Sequence, residues 1–129
     1  MRKACVVLGV TLAILIAMGA APEVRAEPVA AVVSVDVKGN LDAYLAGIKE
    51  LTALAKKLVP NATIRVWQAT AAGEETGTVY VVLEHPSLED YAKNSTKIQG
   101  DAEWAKVIEK LQATGREIFS SSLMRDVTP

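Results

Sequence analysis

Between Val29 and Lys38 the chain reads VAAVVSVDVK, and the end of this run alternates: Val33, Val35 and Val37 against Ser34, Asp36 and Lys38. A period of two places apolar side chains on one face of a strand. Gly39 and Asn40 break the run. From Leu41 the apolar period lengthens, with Leu41, Tyr44, Leu45, Ile48, Leu51, Ala55 and Leu58 recurring at helical spacing. An amphipathic helix is predicted, capped by Asn40, with Asp42 at its positive end, Lys56 and Lys57 at its negative end and Pro60 as its stop. Ala62–Thr70 reads as a second strand, with Ile64 and Val66 on one face and Arg65 and Trp67 on the other. The polar, glycine-bearing AAGEETG then suits a hairpin. The third strand is TVYVVLE, Thr78–Glu84, in which Val79, Val81 and Leu83 oppose Tyr80, Val82 and Glu84.

Pro86 and Ser87 open the next helix, with Ser87 as the cap and Asp90 as its partner three residues on. Its expected inner stripe is Leu88, Tyr91, Ala92 and Ser95, and Gly100 closes it. Asp101 caps a further helix with Trp104, Val107, Ile108 and Leu111 as the buried face; Gly115 ends it. Glu117–Val127 forms the last strand, in which Phe119, Ser121 and Leu123 alternate with Ser120, Ser122 and Met124. Strand, helix, strand, strand, helices, strand is the order of two split βαβ units. The expected fold class is therefore α+β and ferredoxin-like: a four-stranded antiparallel sheet with helices on one face and the first and third strands central.

This arrangement gives the sheet two different faces. Val33, Val35, Val37, Ile64, Val66, Val79, Val81, Leu83, Phe119 and Leu123 are expected to meet the helices and form the core. Val32, Ser34, Asp36, Arg65, Trp67, Tyr80, Val82, Glu84, Ser120, Ser122 and Met124 face away. That second set is too apolar for a solvated face and too charged for a dry core. A second copy of the chain covering it, with a polar-lined cavity between the two sheets, accommodates both properties.

The N-terminus changes the picture of where the protein works. Arg2 and Lys3 precede an almost unbroken apolar run, Ala4–Ala21, and VRA at Val24–Ala26 suits a signal peptidase. Residues 1–26 thus read as a secretory signal and 27–129 as one domain, placing the product in the periplasm or the medium. An uncleaved membrane anchor is the alternative, and only then would the protein meet a membrane. The single cysteine, Cys5, falls in this segment, so the remaining domain has no disulfide, no thiol nucleophile and no thiolate metal site. Past Ala26 the chain carries 11 basic and 14 acidic residues, net −3, with no basic patch to suit a nucleic acid.

The stretch TVYVVLEHPSLEDYAKNSTKIQGDAEW, Thr78–Trp104, resembles NIPSNAP-like proteins of the dimeric α+β barrel superfamily. The shared features are a strand ending in Glu84, a Pro86-Ser87-Leu88 helix start and a second helix opened by Asp101–Trp104, with Ala102 where Pro is common. The resemblance implies a homodimer packed sheet to sheet. It leaves activity open, because the superfamily includes cofactor-free monooxygenases, haem-degrading enzymes, isomerases and members without assigned function.

The candidate chemistry lies mainly on the face away from the helices. Arg65 could hold a carboxylate or phenolate, and Trp67 and Tyr80 could stack an aromatic ring. Ser34 and Ser122 complete the expected ligand-binding set. Glu84 or Asp36, if desolvated, could act as a base. The competing reading is an internal Arg–carboxylate pair at a dimer interface. His85, the only histidine, is a third acid/base candidate. Alternation turns it towards the helices, where a strand-end histidine hydrogen-bonded to the turn is the plainer reading. One histidine and scattered carboxylates make no metal or haem site, and no cofactor is expected. Asn61-Ala62-Thr63 and Asn94-Ser95-Thr96 match the glycosylation pattern and are read as chance. The expected function is an exported dimer holding a small molecule between its sheets. The alternative is a cofactor-independent monooxygenase or isomerase acting on a small aromatic substrate.

Overall fold

The two valine-rich strands pair with each other. In the computed structural model, which describes residues 27–129, strands β1 (Val29–Asp36) and β3 (Val79–His85) lie side by side at the centre of one sheet. Strands β2 (Thr63–Gln68) and β4 (Glu117–Arg125) form the edges, giving a four-stranded antiparallel sheet of order β2-β3-β1-β4. The connecting helices are α1 (Leu41–Leu58), α2 (Leu88–Gln99) and α3 (Ala102–Ala113). The fold is ferredoxin-like α+β, as the element order predicts. The expected signal segment, residues 1–26 with Cys5, lies outside the described residues.

The core joins the β1–β3 ladder to α1 and α3. Val35 and Val79 are fully buried, and Val37, Tyr44, Ile48, Leu51, Val107 and Leu111 pack around them. Burying each large apolar side chain contributes roughly 1.5–3 kcal/mol. Gly47 lets α1 approach α3, because a Cβ there would run into the Leu111 side chain. Ser87 and Asp101 cap as expected: Ser87 Oγ accepts from the Asp90 amide at 3.0 Å, and Asp101 Oδ1 from the Trp104 amide at 2.8 Å. Asn40 does not cap with its side chain. Its Nδ2 donates instead to the Thr114 carbonyl at 2.9 Å and ties the start of α1 to the end of α3.

Three core expectations are corrected. The β1–β4 register shifts between Ser34 and Val35, so that Ile118, not Phe119, stands opposite Val35. The irregularity inserts an extra residue on β4, and Phe119 is left 57% exposed. Leu123 keeps the helix-side register opposite Ala31 but is also exposed. On α2, Leu88 and Ala92 are exposed, and the residue buried is Asn94. On α1, Leu45 is exposed while Tyr44, Ile48, Leu51 and Ala55 form the buried stripe. Among the described residues no helix is long and apolar enough to cross a membrane.

Candidate functional site

The expected constellation does share one face. Cross-strand register places Trp67 opposite Tyr80, Tyr80 opposite Ser34 and Ser34 opposite Ser120 in one row. The next row holds Arg65, Val82, Val32 and Ser122, and the one beyond holds Glu84, Ala30 and Met124. The face is open, with Trp67 62% and Met124 53% exposed. Its polar groups are already paired with one another. Arg65 Nε lies 3.7 Å from Glu84 Oε1. Ser34 and Ser120 are joined through their hydroxyls. The Tyr80 hydroxyl donates to Glu75 Oε2 at 3.1 Å, which raises the Tyr80 pKa because the carboxylate holds the phenol proton.

Asp36 stands apart at the other end of β1. Lys38 Nζ bridges Asp36 and Glu117 at 3.2 and 3.0 Å. The Lys38 amide donates to Asp36 Oδ1 at 2.9 Å, and that backbone bond, followed by the lysine itself, lowers the Asp36 pKa. A carboxylate so held is a poor base. Arg65 therefore reaches only one of the two acids that sequence placed on its face.

His85 turns to the helix side, as alternation predicts, and is only 2% exposed. Its partner is not the Pro86 turn: Nδ1 accepts from Asn94 Nδ2 at 2.9 Å, and Asn94 Nδ2 also donates to Asn61 Oδ1 at 2.9 Å. Tyr91 packs edge-on against the ring, with centroids 5.3 Å apart. Since the amide nitrogen is a donor, Nδ1 is the bare nitrogen, and the proton sits on the buried Nε2, which has no partner. Desolvation lowers the His85 pKa, with the Asp90 charge opposing weakly. Both glycosylation-type asparagines thus belong to one structural relay, and Asn94 is 4% exposed.

A second site was not visible in the sequence. On the helix side of the sheet, Ala31, Val33 and Val81 floor a cavity of about 270 Å³ that Ile48, Trp104 and Ile108 wall from α1 and α3. Ile64 and Leu83 border the same hollow, and Val33 and Val81 pack against the core beside it. The lining is apolar apart from two groups, Tyr44 and Arg116. Arg116 follows Gly115, whose φ of +84° turns the chain from α3 into β4. Its Nη1 donates to the Tyr44 hydroxyl at 3.3 Å, and its guanidinium carbon lies 5.8 Å from the centre of the Tyr44 ring. Arg116 Nε is buried without a partner. The only sequence signal was a cation alone between a helix-ending glycine and a strand. Among the described residues no group of three or more His, Cys, Asp or Glu could hold a metal ion.

No protein-family model matches the chain, and no curated protein does. Solved structures do. A NIPSNAP family protein of unknown function from Agrobacterium tumefaciens str. C58 superposes with a TM-score of 0.60 at 14% identity, covering 81% of this chain and 94% of that one. A second NIPSNAP family protein from the same strain gives 0.58 at 18% identity, over 78% and 86%. The fold is that of the NIPSNAP proteins. A candidate antibiotic biosynthesis monooxygenase from Caulobacter crescentus CB15 shares it more loosely, with a TM-score of 0.50 at 12% identity over 83% and 95%. At such identities the NIPSNAP likeness is one of fold, and the side chains of this chain have to speak for its chemistry.

Proposed function

We propose that this NIPSNAP-like chain is an exported homodimer that binds a small molecule with a largely apolar body, with the open sheet face as the subunit interface and the helix-side cavity as the binding site. The cavity carries the reading. An apolar hollow flanked by two polar groups has the make-up of a small-molecule site, and at about 270 Å³ it falls just short of the ~300–1,000 Å³ usual for such pockets. The expected ligand set Arg65, Trp67, Tyr80, Glu84, Ser34 and Ser122 is assigned here to the interface instead. Arg65, Glu84, Ser34 and Tyr80 are satisfied within one chain, so a twin could cover Trp67, Val82 and Met124 without burying an unpaired charge.

Binding is favoured over turnover. A cofactor-independent monooxygenase or isomerase acting on a small aromatic substrate needs a base beside its substrate. None of the cavity-lining residues is a carboxylate or an imidazole. Glu84 is paired with Arg65, Asp36 with Lys38, and His85 is sealed against Asn94.

The two tryptophans report on the two faces: Trp104 lines the cavity and Trp67 the open face. Titrating the mature protein with 2-naphthamide should move the indole N–H resonance of Trp104 and leave that of Trp67 in place. Ala31→Leu, which puts a side chain into the cavity floor, should abolish the shift while the protein stays folded. Movement of Trp67 alone, or full binding by the Ala31→Leu variant, refutes this placement. Export is checked separately: the protein recovered from periplasm or medium should begin at Glu27, and a membrane-bound chain retaining residues 1–26 would contradict it.

A further inference from the structure

We infer that the ligand is a small flat carboxylate, paired with the Arg116 guanidinium through its unpartnered Nη2; this rests on the cavity being the binding site. Arg116 is the only charged residue lining the cavity, and none of the described acids forms an ion pair with it. Its Nη1 is committed to the Tyr44 hydroxyl, and Tyr44 is almost wholly buried. This contact and the ring beneath the guanidinium fix the plane of the fork. Nε is sealed from the cavity as from water, so Nη2, which makes no hydrogen bond, is the donor left to the hollow that Arg116 lines.

A cation beside an apolar hollow with no carboxylate partner is costly, and an anionic ligand would relieve that cost. A guanidinium N–H held in a fixed plane offers a carboxylate oxygen a directed, charge-assisted donor that lysine cannot reproduce. The rest of the lining dictates the rest of the ligand. Ala31, Val33, Val81 and Ile108 offer no hydrogen bonds, and Trp104 offers an aromatic surface. The ligand class that satisfies both ends is an aromatic or short aliphatic acid, with its carboxylate at Arg116 and its apolar body over β1 and β3.

The test compares 2-naphthoate with its neutral isostere 2-naphthamide, following the Trp104 indole N–H of the mature protein. In the wild type the acid should bind about tenfold to a hundredfold more tightly than the amide, the range of a charge-assisted pair over a neutral one. Arg116→Met should erase that preference while retaining the amide, and Arg116→Lys should restore only part of it. Equal wild-type affinities overturn the carboxylate assignment and leave the cavity as the binding site. A preference that survives in Arg116→Met also overturns it, by pointing to another cation. Failure of both compounds to move Trp104 overturns the assignment together with the site. The wild-type comparison decides the matter even if the Met variant folds poorly.

Discussion

The two faces of this sheet are built from the same four strands and treat polar groups in opposite ways. On the open face almost every polar side chain finds its partner across a strand or in the adjoining turn: Arg65 with Glu84, Ser34 with Ser120, Tyr80 with Glu75. What remains unsatisfied there is apolar, chiefly Trp67 and Met124. On the helix face the apolar side chains are largely packed, and what remains unsatisfied is polar: Nε2 of His85 and Nε of Arg116 are buried without partners, and the Arg116 guanidinium lines the cavity with no carboxylate beside it. Unsatisfied apolar surface calls for another surface of similar shape; an unpaired cation lining a cavity calls for an anion. The first is the signature of an interface and the second of a ligand.

Substitutions on the two faces should therefore fail differently. The largest effect on stability should come from Leu111→Ala, which removes a side chain packed between α1, α3 and the β1–β3 ladder. It should cost about 2–5 kcal/mol in urea denaturation, whereas Val82→Ala on the open face should cost under about 1 kcal/mol when measured at concentrations too low for association. Comparable losses would mean that the open face is as tightly packed in the single chain as the core. Next, Trp67→Glu should weaken self-association by about a hundredfold or more, since it replaces the largest exposed apolar side chain of the proposed interface with an unpaired charge. Sedimentation equilibrium should then report a monomer with an unchanged far-ultraviolet dichroism spectrum. An intact dimer would break the comparison.

A smaller effect concerns His85, at the end of β3 on the helix side. Its folded pKa is lowered from the ordinary 6.5, so the unfolded chain takes up a proton before the folded one does. The stabilisation from the neutral ring is complete above about pH 6.5 and is lost as the pH falls towards the folded value. Denaturation midpoints should thus drop between pH 7 and pH 5, and His85→Gln should flatten that drop. A wild type whose midpoint rises on acidification would contradict the sign. The smallest effect belongs to Glu84→Gln, because the Arg65–Glu84 pair is exposed in the single chain and exposed pairs contribute under about 1 kcal/mol. A loss of several kcal/mol would show that this pair lies buried in the working assembly.

Much of this architecture could be read from local patterns. The alternation in β1 and β3 set which residues share a face, and register confirms that sharing from Val33 to Val37's neighbours in the core. Ser87 and Asp101 were legible as caps because a cap is a contact over three residues. Beyond the Asn40 cap and the exact helix stripes, the failures are long-range. The β1–β4 irregularity that exchanges Phe119 for Ile118 carries no glycine or proline to announce it. Asn94 reads as a surface residue until Asn61 and His85, 33 and 9 residues away, supply its partners. Arg116 carries no local signal of a role because Tyr44, its hydrogen-bond partner, lies 72 residues earlier. The residues of the expected ligand set do share one face; that Arg65 pairs with Glu84, Ser34 with Ser120 and Tyr80 with Glu75 depends on rotamers that strand alternation does not reveal.

The division of labour between the faces is tested most directly by adding a soluble gadolinium chelate to the mature protein and reading the relaxation of the two tryptophan rings. In a lone chain Trp67 is 62% exposed and Trp104 half-buried, so the probe would strike Trp67 far harder. The account predicts the reverse of that contrast at concentrations where the subunits pair, with Trp67 relaxed no more than Trp104. Strong, unprotected relaxation of Trp67 under those conditions would contradict it.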